Sequence, residues 1–350
     1  MCRRLLRRIV SWASVIQGFW TVMWVFLLAA VGLGSCVSFG SGGGAAAHSY
    51  TPKPIPVILD TDIGTDIDDT WALAFLLKCP ELDVKLVVTD SGNTICRAKI
   101  VARFLEAAGR TDIPVGIGLK LSDKEERQAP WVKNYELSRY PGKVFKDGVQ
   151  ALIDTIMRSP RPVTLICIGP VPNIEAALER EPRIAGRAHF VGMFASVRKG
   201  YGGKGTPDAE YNVRRDVEAC RAALNAPWEV TLTPLDTCGL VQLKGKKYAA
   251  LRDSKDPAVQ ALMENYRIWC GQKPERAEKE SSTLFDTVAV YLAFSRDLCV
   301  METLGLRIDD RGFTVVDPAA KKMNCAMAWK SLPAFKDFLV RRLTGAENSL

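Results

Sequence analysis

Histidine is almost missing from this chain: His48 and His189 are the only two among 350 residues. His48 lies in a Gly/Ala-rich linker, and His189, just ahead of the apolar run FVGMF, reads as a packed or capping residue, so no imidazole stands out as a catalyst. No CxxC pair occurs among the ten cysteines, which argues against a zinc ribbon or a thioredoxin-type site. Two of the ten, Cys2 and Cys36, belong to the N-terminal leader; the even number left permits disulfides without defining any pairing, and Cys167 in VTLICIG reads as a buried strand thiol. No internal repeat is evident.

The net charge of +8 is partly local, because Arg3, Arg4, Arg7 and Arg8 precede an apolar run from Ile9 to Val37. It gives no reason to expect a nucleic-acid partner. Residues 1–53 read as a targeting or anchoring segment followed by a small-residue linker, SFGSGGGAAAHSYTPKP. Cleavage after GGGAAA, lipidation at Cys36 of LGSC, and retention as a membrane span are all open, and each places the body outside the cytoplasm, secreted or membrane-anchored.

Residues 54–350, in a chain that is 47% hydrophobic, suffice for one large domain. Apolar strand-like runs (PVILD, VKLVVTD, IPVGIG, PVTLICIG) alternate with helical patterns: about Thr70 to Lys78, around ICRAKIVARFLEAAG, and around GVQALIDTIMRS. That order predicts a doubly wound α/β domain, a mainly parallel sheet with helices on both faces. Ser122 to Lys146 reads as a surface insertion, and Tyr248 to Ser282 as helices packed over one end of the sheet. Polar clusters fall where strands end: Asp60 and Asp62, then DSGN, then GPVPN, which converge on one rim, where open α/β sheets bind ligands.

VILDTDIGTDIDDTWALAF sets Asp60, Asp62, Asp66, Asp68 and Asp69 within ten residues. Capping of the next helix by Asp68 or Asp69 explains one or two of them, not five. Crowded carboxylates beside a core need a cation, a shared proton or water, and hard oxygen ligands suit calcium or magnesium. An EF-hand is excluded, since its sixth and twelfth positions fall on Thr65 and Trp71 and a strand precedes it. The Asp-x-Asp strand also has the look of a haloacid-dehalogenase-type phosphatase, although Gly64 replaces that family's usual Thr or Val.

Taken in order, DTDIGTDIDD, DSGN, IGPVPNIEAALEREPRI, TPDAEYNVRRDVEA and LFDTVAVYLA resemble the motifs of the inosine-uridine nucleoside hydrolase family, from about residue 56 to 295. The resemblance implies calcium held by Asp62, Asp69 and Asp286 with the backbone carbonyl of Pro172. It makes Asp62 the general base and sets Asp68 on ribose hydroxyls. Asn93, Glu210 and Asn212 would take the remaining sugar oxygens, and Met193 matches the methionine of the family's MGG segment, here GMFAS. Glu210 and Asn212 share a side if AEYN is extended. The implied reaction is hydrolysis of a ribonucleoside to ribose and base, as in nucleoside salvage; a homo-oligomer remains open.

Two departures stand out. Phe285 replaces the family histidine before the last metal aspartate, and Lys204 replaces an asparagine of the sugar loop and reads as a group that could meet an anionic part of the ligand. Asp90 and Tyr266 are the candidates for a substitute acid. Tyr266 and Trp269 could instead stack on a base, and VRKGYGGKG reads as a flexible lip. The departures keep a second expectation alive, a non-catalytic or repurposed calcium- and sugar-binding module of the same fold.

Overall fold

The run IPVILDT forms strand β1 (Ile55–Thr61), and its alternation decides how the body is layered. Val57 and Leu59 enter one apolar core and Ile58 the other, so β1 is buried on both faces. The computed structural model describes residues 53–346. The leader, with its alternatives of cleavage, lipidation and membrane insertion, lies outside the described residues apart from Lys53. Among the described residues no helix is long and apolar enough to cross a membrane.

The further strands are β2 (Leu82–Thr89), β3 (Val115–Ile117), β4 (Val144–Phe145), β5 (Val163–Cys167), β6 (Ala188–Gly192), β7 (Val230–Leu232), β8 (Cys299–Ile308), β9 (Thr314–Val316) and β10 (Lys322–Trp329). They form one sheet in the order β4-β3-β2-β1-β5-β6-β7-β10-β8-β9. Pairing is parallel from β4 to β10 and antiparallel at β10–β8 and β8–β9. The chain adds β2, β3 and β4 on one side of β1, then returns to place β5 on the other. The crevice above β1 and β5, where Asp60 is level with Val88 and Cys167, is therefore the switch point that binds ligands in such sheets.

One core lies under the helices Asp68–Leu76, Thr94–Ala107, Pro257–Cys270 and Leu332–Thr344, the other under Gly148–Arg158, Pro172–Arg180 and Val217–Asn225. Each fully buried Leu, Ile, Val or Phe there contributes about 1.5–3 kcal/mol by leaving water. The doubly wound expectation is met, as is the helical region near residues 248–282. All eight cysteines of the body are unpaired thiols.

Two local expectations fail. The first helix begins at Asp68, not Thr70, and its N-cap is Ile67 with no side-chain cap, so Asp68 and Asp69 occupy its first turn. Their charge still suits the positive end of the helix, but neither caps it. The segment from Ser122 to Lys146 is only partly a surface insertion. Trp131, Val132, Tyr135 and Tyr140 are buried, with Trp131 against Phe104 at 6.5 Å and under Arg103 at 4.5 Å, and the segment ends in edge strand β4. Its polar residues hide aromatic anchors spaced too irregularly to show a period.

Candidate active site

β1 ends at the rim with Asp60, Thr61 and Asp62, and Gly64 then turns the chain at φ +117°. A Cβ there would lie 3.1 Å from Ile100 Cδ1 and 3.2 Å from Glu126 Cβ, so both conformation and space favour glycine. The turn delivers Asp68 and Asp69 into the following helix, where the Thr61 hydroxyl donates to Asp69 Oδ1 at 2.5 Å. Asp286 arrives from far along the chain as N-cap of the helix Thr287–Leu292. Asp68, Asp69 and Asp286 are buried and each offers an oxygen within 4.8 Å of the others.

Burial pushes the carboxyls of all three well above the usual range, and neighbouring negative charge adds to it: Asp66 and Asp62 beside Asp68, Asp62 and Asp68 beside Asp69, and Asp68 and Asp69 beside Asp286. Asp62 is pushed up to about 7, by burial first, with the Arg97 guanidinium opposing the shift. Four carboxyls in one low-dielectric place cannot all ionise without positive charge. Three converging hard oxygens therefore fit a hard divalent cation.

A cavity of about 220 Å³ opens onto these groups. Asp62, Asp68, Asp69 and Asp286 line it, and so do Met193, Glu210 and Asn212, so seven of the nine expected site residues come together. Asn212 Nδ2 donates to the carbonyls of Ile168 and Met193, both at 3.1 Å. Glu210 caps the helix Tyr211–Arg215 by accepting from Asn212 N at 2.9 Å and Val213 N at 3.1 Å. Burial nevertheless raises its carboxyl to about 7. AEYN is thus not extended: Glu210 and Asn212 share the cavity through a helix start.

The other two do not join the lining. Asn93 caps the helix Thr94–Ala107, accepting from Cys96 N at 3.2 Å, and faces a separate groove with Cys96 and Lys99. Pro172 is buried at the first position of the helix Pro172–Arg180 and is not among the cavity-lining residues. Lys204 pairs with Asp208 at 2.6 Å, so its charge is already matched. His189 is an exposed residue of β6, 4.0 Å from Glu229, near the amino ends of the strands, neither packed nor capping.

The two substitute acids also fall away. Asp90 is fully buried, accepting from Val171 N at 3.0 Å and pushed well up by burial and by Asp60. Tyr266 is core, edge-on to Trp71 at 6.2 Å, with its hydroxyl on the Glu280 carbonyl at 3.0 Å. Trp269 stacks under Arg127 at 4.1 Å rather than lining the cavity, so neither aromatic is placed for a base. Asp60, which would be the phosphatase nucleophile, is fully buried and accepts from Asn173 Nδ2 at 2.8 Å, which removes that reading.

Sequence reasoning missed part of the lining: Thr65, Arg127, Ile168, Tyr201 and Tyr211. Tyr201 belongs to the lip and stands edge-on to Phe285 with centroids 5.9 Å apart, and Tyr211 lies inside AEYN, so both were within reach. Arg127, in SDKEERQAP, is indistinguishable from an ordinary solvated charge. Backbone strain gathers at the same rim: Ser91, Val171 and Ala195, each just past a strand end, have φ of 45°, 64° and 85°.

Residues 57–336 match the inosine-uridine preferring nucleoside hydrolase family. The non-specific ribonucleoside hydrolase RihC of Escherichia coli (strain SMS-3-5 / SECEC) is 30% identical over 75% of this chain and 88% of its own length. The probable uridine nucleosidase 2 of Oryza sativa subsp. japonica is 26% identical over 81% and 88%. The solved plant nucleoside hydrolase PpNRh1 superposes with a TM-score of 0.72 at 22% identity, covering 83% of this chain and 99% of that one. With the match spanning nearly the whole described body and the acidic rim in place, the chain belongs to the inosine-uridine preferring nucleoside hydrolase family, and so to the hydrolases of N-glycosyl compounds.

Proposed function

We propose that the protein hydrolyses the N-glycosidic bond of ribonucleosides, releasing ribose and base, and that calcium is its metal. The observation that carries this reading is the convergence of Asp68, Asp69 and Asp286 at one end of a cavity also lined by Glu210, Asn212 and Met193. Asp62, Asp69 and Asp286, with Asp68 beside them, would hold the cation, which when bound polarises the attacking water and the sugar hydroxyls. The Pro172 carbonyl is a further ligand implied by the family.

Asp62 is the general base. As bond cleavage proceeds, the sugar takes on oxocarbenium character, and the carboxylates at this end of the cavity stabilise its positive charge while Asp62 accepts the water proton. Glu210 and Asn212, held by the helix start and by strand-end carbonyls, fix the sugar. The Arg-rich, apolar, Gly/Ala order of residues 1–53 supports an exported body, secreted or anchored; recovery of the full chain as a soluble cytoplasmic protein would contradict that.

Phe285 on the cavity wall, where the family carries a histidine, favours one alternative, a calcium- and sugar-binding module without turnover. Incubating the purified full chain with inosine, uridine, adenosine, cytidine and p-nitrophenyl riboside separates the two. Ribose release that a chelator abolishes and calcium restores is expected. Ribose binding in calcium without release from any of the five would establish the module instead.

A further inference from the structure

Cleaving a bond to a nucleobase leaves an electron pair on the departing ring, and with Phe285 in the family histidine's place the cavity has no imidazole to protonate it. It does have a cation. Arg127 lines the cavity beside Thr65 and Asp66 at the end of a polar segment, and it also lines an adjoining groove with Trp269, Lys273 and Arg276, in which no carboxylate takes part.

Arg127 is exposed yet held. Its guanidinium lies over the Trp269 ring at 4.1 Å and Nη2 donates to the Trp269 carbonyl at 2.8 Å. Trp269 Nε1 in turn donates to the Thr65 carbonyl at 3.2 Å, which ties this stack to the acidic turn. Among the described residues Nε and Nη1 have no hydrogen-bond acceptor, and no carboxylate lies within 4.0 Å of the guanidinium, although its charge reaches the Asp66 carboxyl on the same cavity wall and opposes the rise that burial imposes there. A positive group on the cavity wall, fixed in advance by Trp269 and with planar N–H donors left unused, is suited to charge that appears only as the bond breaks.

Resting on the hydrolase reading above, we propose that Arg127 stabilises the departing base as an anion, so that fixed positive charge replaces the missing acid. In this step the C1′–N bond breaks with its electron pair passing to the base. The water oxygen bonds to C1′, its proton goes to Asp62, and the anionic base takes a proton from solvent after it leaves. A guanidinium cannot hand over a proton, but two of its N–H groups match the O and N edge of a deprotonated oxo base. The favoured substrates are therefore ribosides whose leaving group carries negative charge well: oxo bases such as uracil and hypoxanthine, and phenolates, ahead of adenine.

The test is the dependence of kcat on leaving-group acidity for the full chain in calcium, across p-nitrophenyl riboside, uridine, inosine and adenosine. Arg127→Gln should lower kcat on uridine and inosine by about 10²-fold with KM little changed, and affect the aryl riboside far less, so that the dependence steepens. Free guanidinium, at concentrations that leave the fold intact, should partly restore Arg127→Ala. An unchanged calcium-induced rise in Tm would show that these variants remain folded. Equal loss on every substrate, a change in KM alone, or absence of guanidinium rescue would overturn the proposal. So would a selective loss on uridine in Tyr201→Phe but not in Arg127→Gln, which would identify the tyrosine as a proton donor. Wild-type protein inactive on all four ribosides would instead remove the hydrolase reading itself.

Discussion

Arg97 Nη1 lies 3.9 Å from Asp62 Oδ2, and both side chains are almost sealed from solvent. The same guanidinium donates to the Ile63 carbonyl at 3.0 Å and to the Thr65 hydroxyl at 2.8 Å, and pairs with Glu126 at 3.3 Å. It therefore ties the acidic turn to the segment that carries Arg127. Removing it strands buried carboxylates, so Arg97→Met should cost about 3–5 kcal/mol in denaturant unfolding. Arg97→Met combined with Glu126→Gln should recover part of that loss. Additive losses in the double variant would contradict the coupling.

Glu210 and Asp62 are both raised to about 7 by burial. A carboxyl whose folded-state pKa exceeds its unfolded value holds its proton more tightly when folded, so stability falls as pH rises from the unfolded pKa to the folded one and levels off above it. In the absence of metal, Tm should decline from about pH 4.5 to about pH 7. Saturating calcium should flatten or reverse that slope, because binding a cation releases protons from the cluster. A metal-free Tm that rises through this interval would refute the electrostatic picture.

Ala195 stands at φ +85° just past β6, where its N–H helps hold Glu210. The family's MGG segment has glycine at this place. Ala195→Gly should therefore raise stability by about 0.5–1 kcal/mol, since relief of left-handed strain outweighs the entropy gained by the unfolded chain. A lower unfolding midpoint would show that the alanine methyl packs well enough to offset its backbone cost.

Phe285 lines the cavity and meets Tyr201 edge-on at 5.9 Å. Phe285→His should add acid assistance and raise kcat on inosine by about 10²-fold while barely changing hydrolysis of p-nitrophenyl riboside. Equal gains on both substrates would indicate a change in sugar binding rather than in leaving-group chemistry.

The parallel sheet was legible because strands buried on both faces are written as unbroken apolar runs, and the rim was legible because Asp60 and Asp62 close the first of them. The roles of Asn93 and Glu210 were harder to read, since a side chain that caps a helix looks the same in sequence as one that binds a sugar. Only the structure separates Asn93, turned toward Cys96 N, from Glu210, which caps a helix and lines the cavity as well. The pairing of Lys204 with Asp208, four residues on, could have been anticipated from spacing. Arg127 could not: its place depends on Trp269, 142 residues away, packing beneath it.

Ribose released from uridine by the metal-free full chain, measured before and after calcium is added and repeated with Asp286→Asn, tests the acidic cluster as a catalytic metal site most directly. Negligible release without calcium, restoration on its addition, and little restoration in the variant are expected. Undiminished release from rigorously metal-free protein, or full calcium activation of Asp286→Asn, would contradict it.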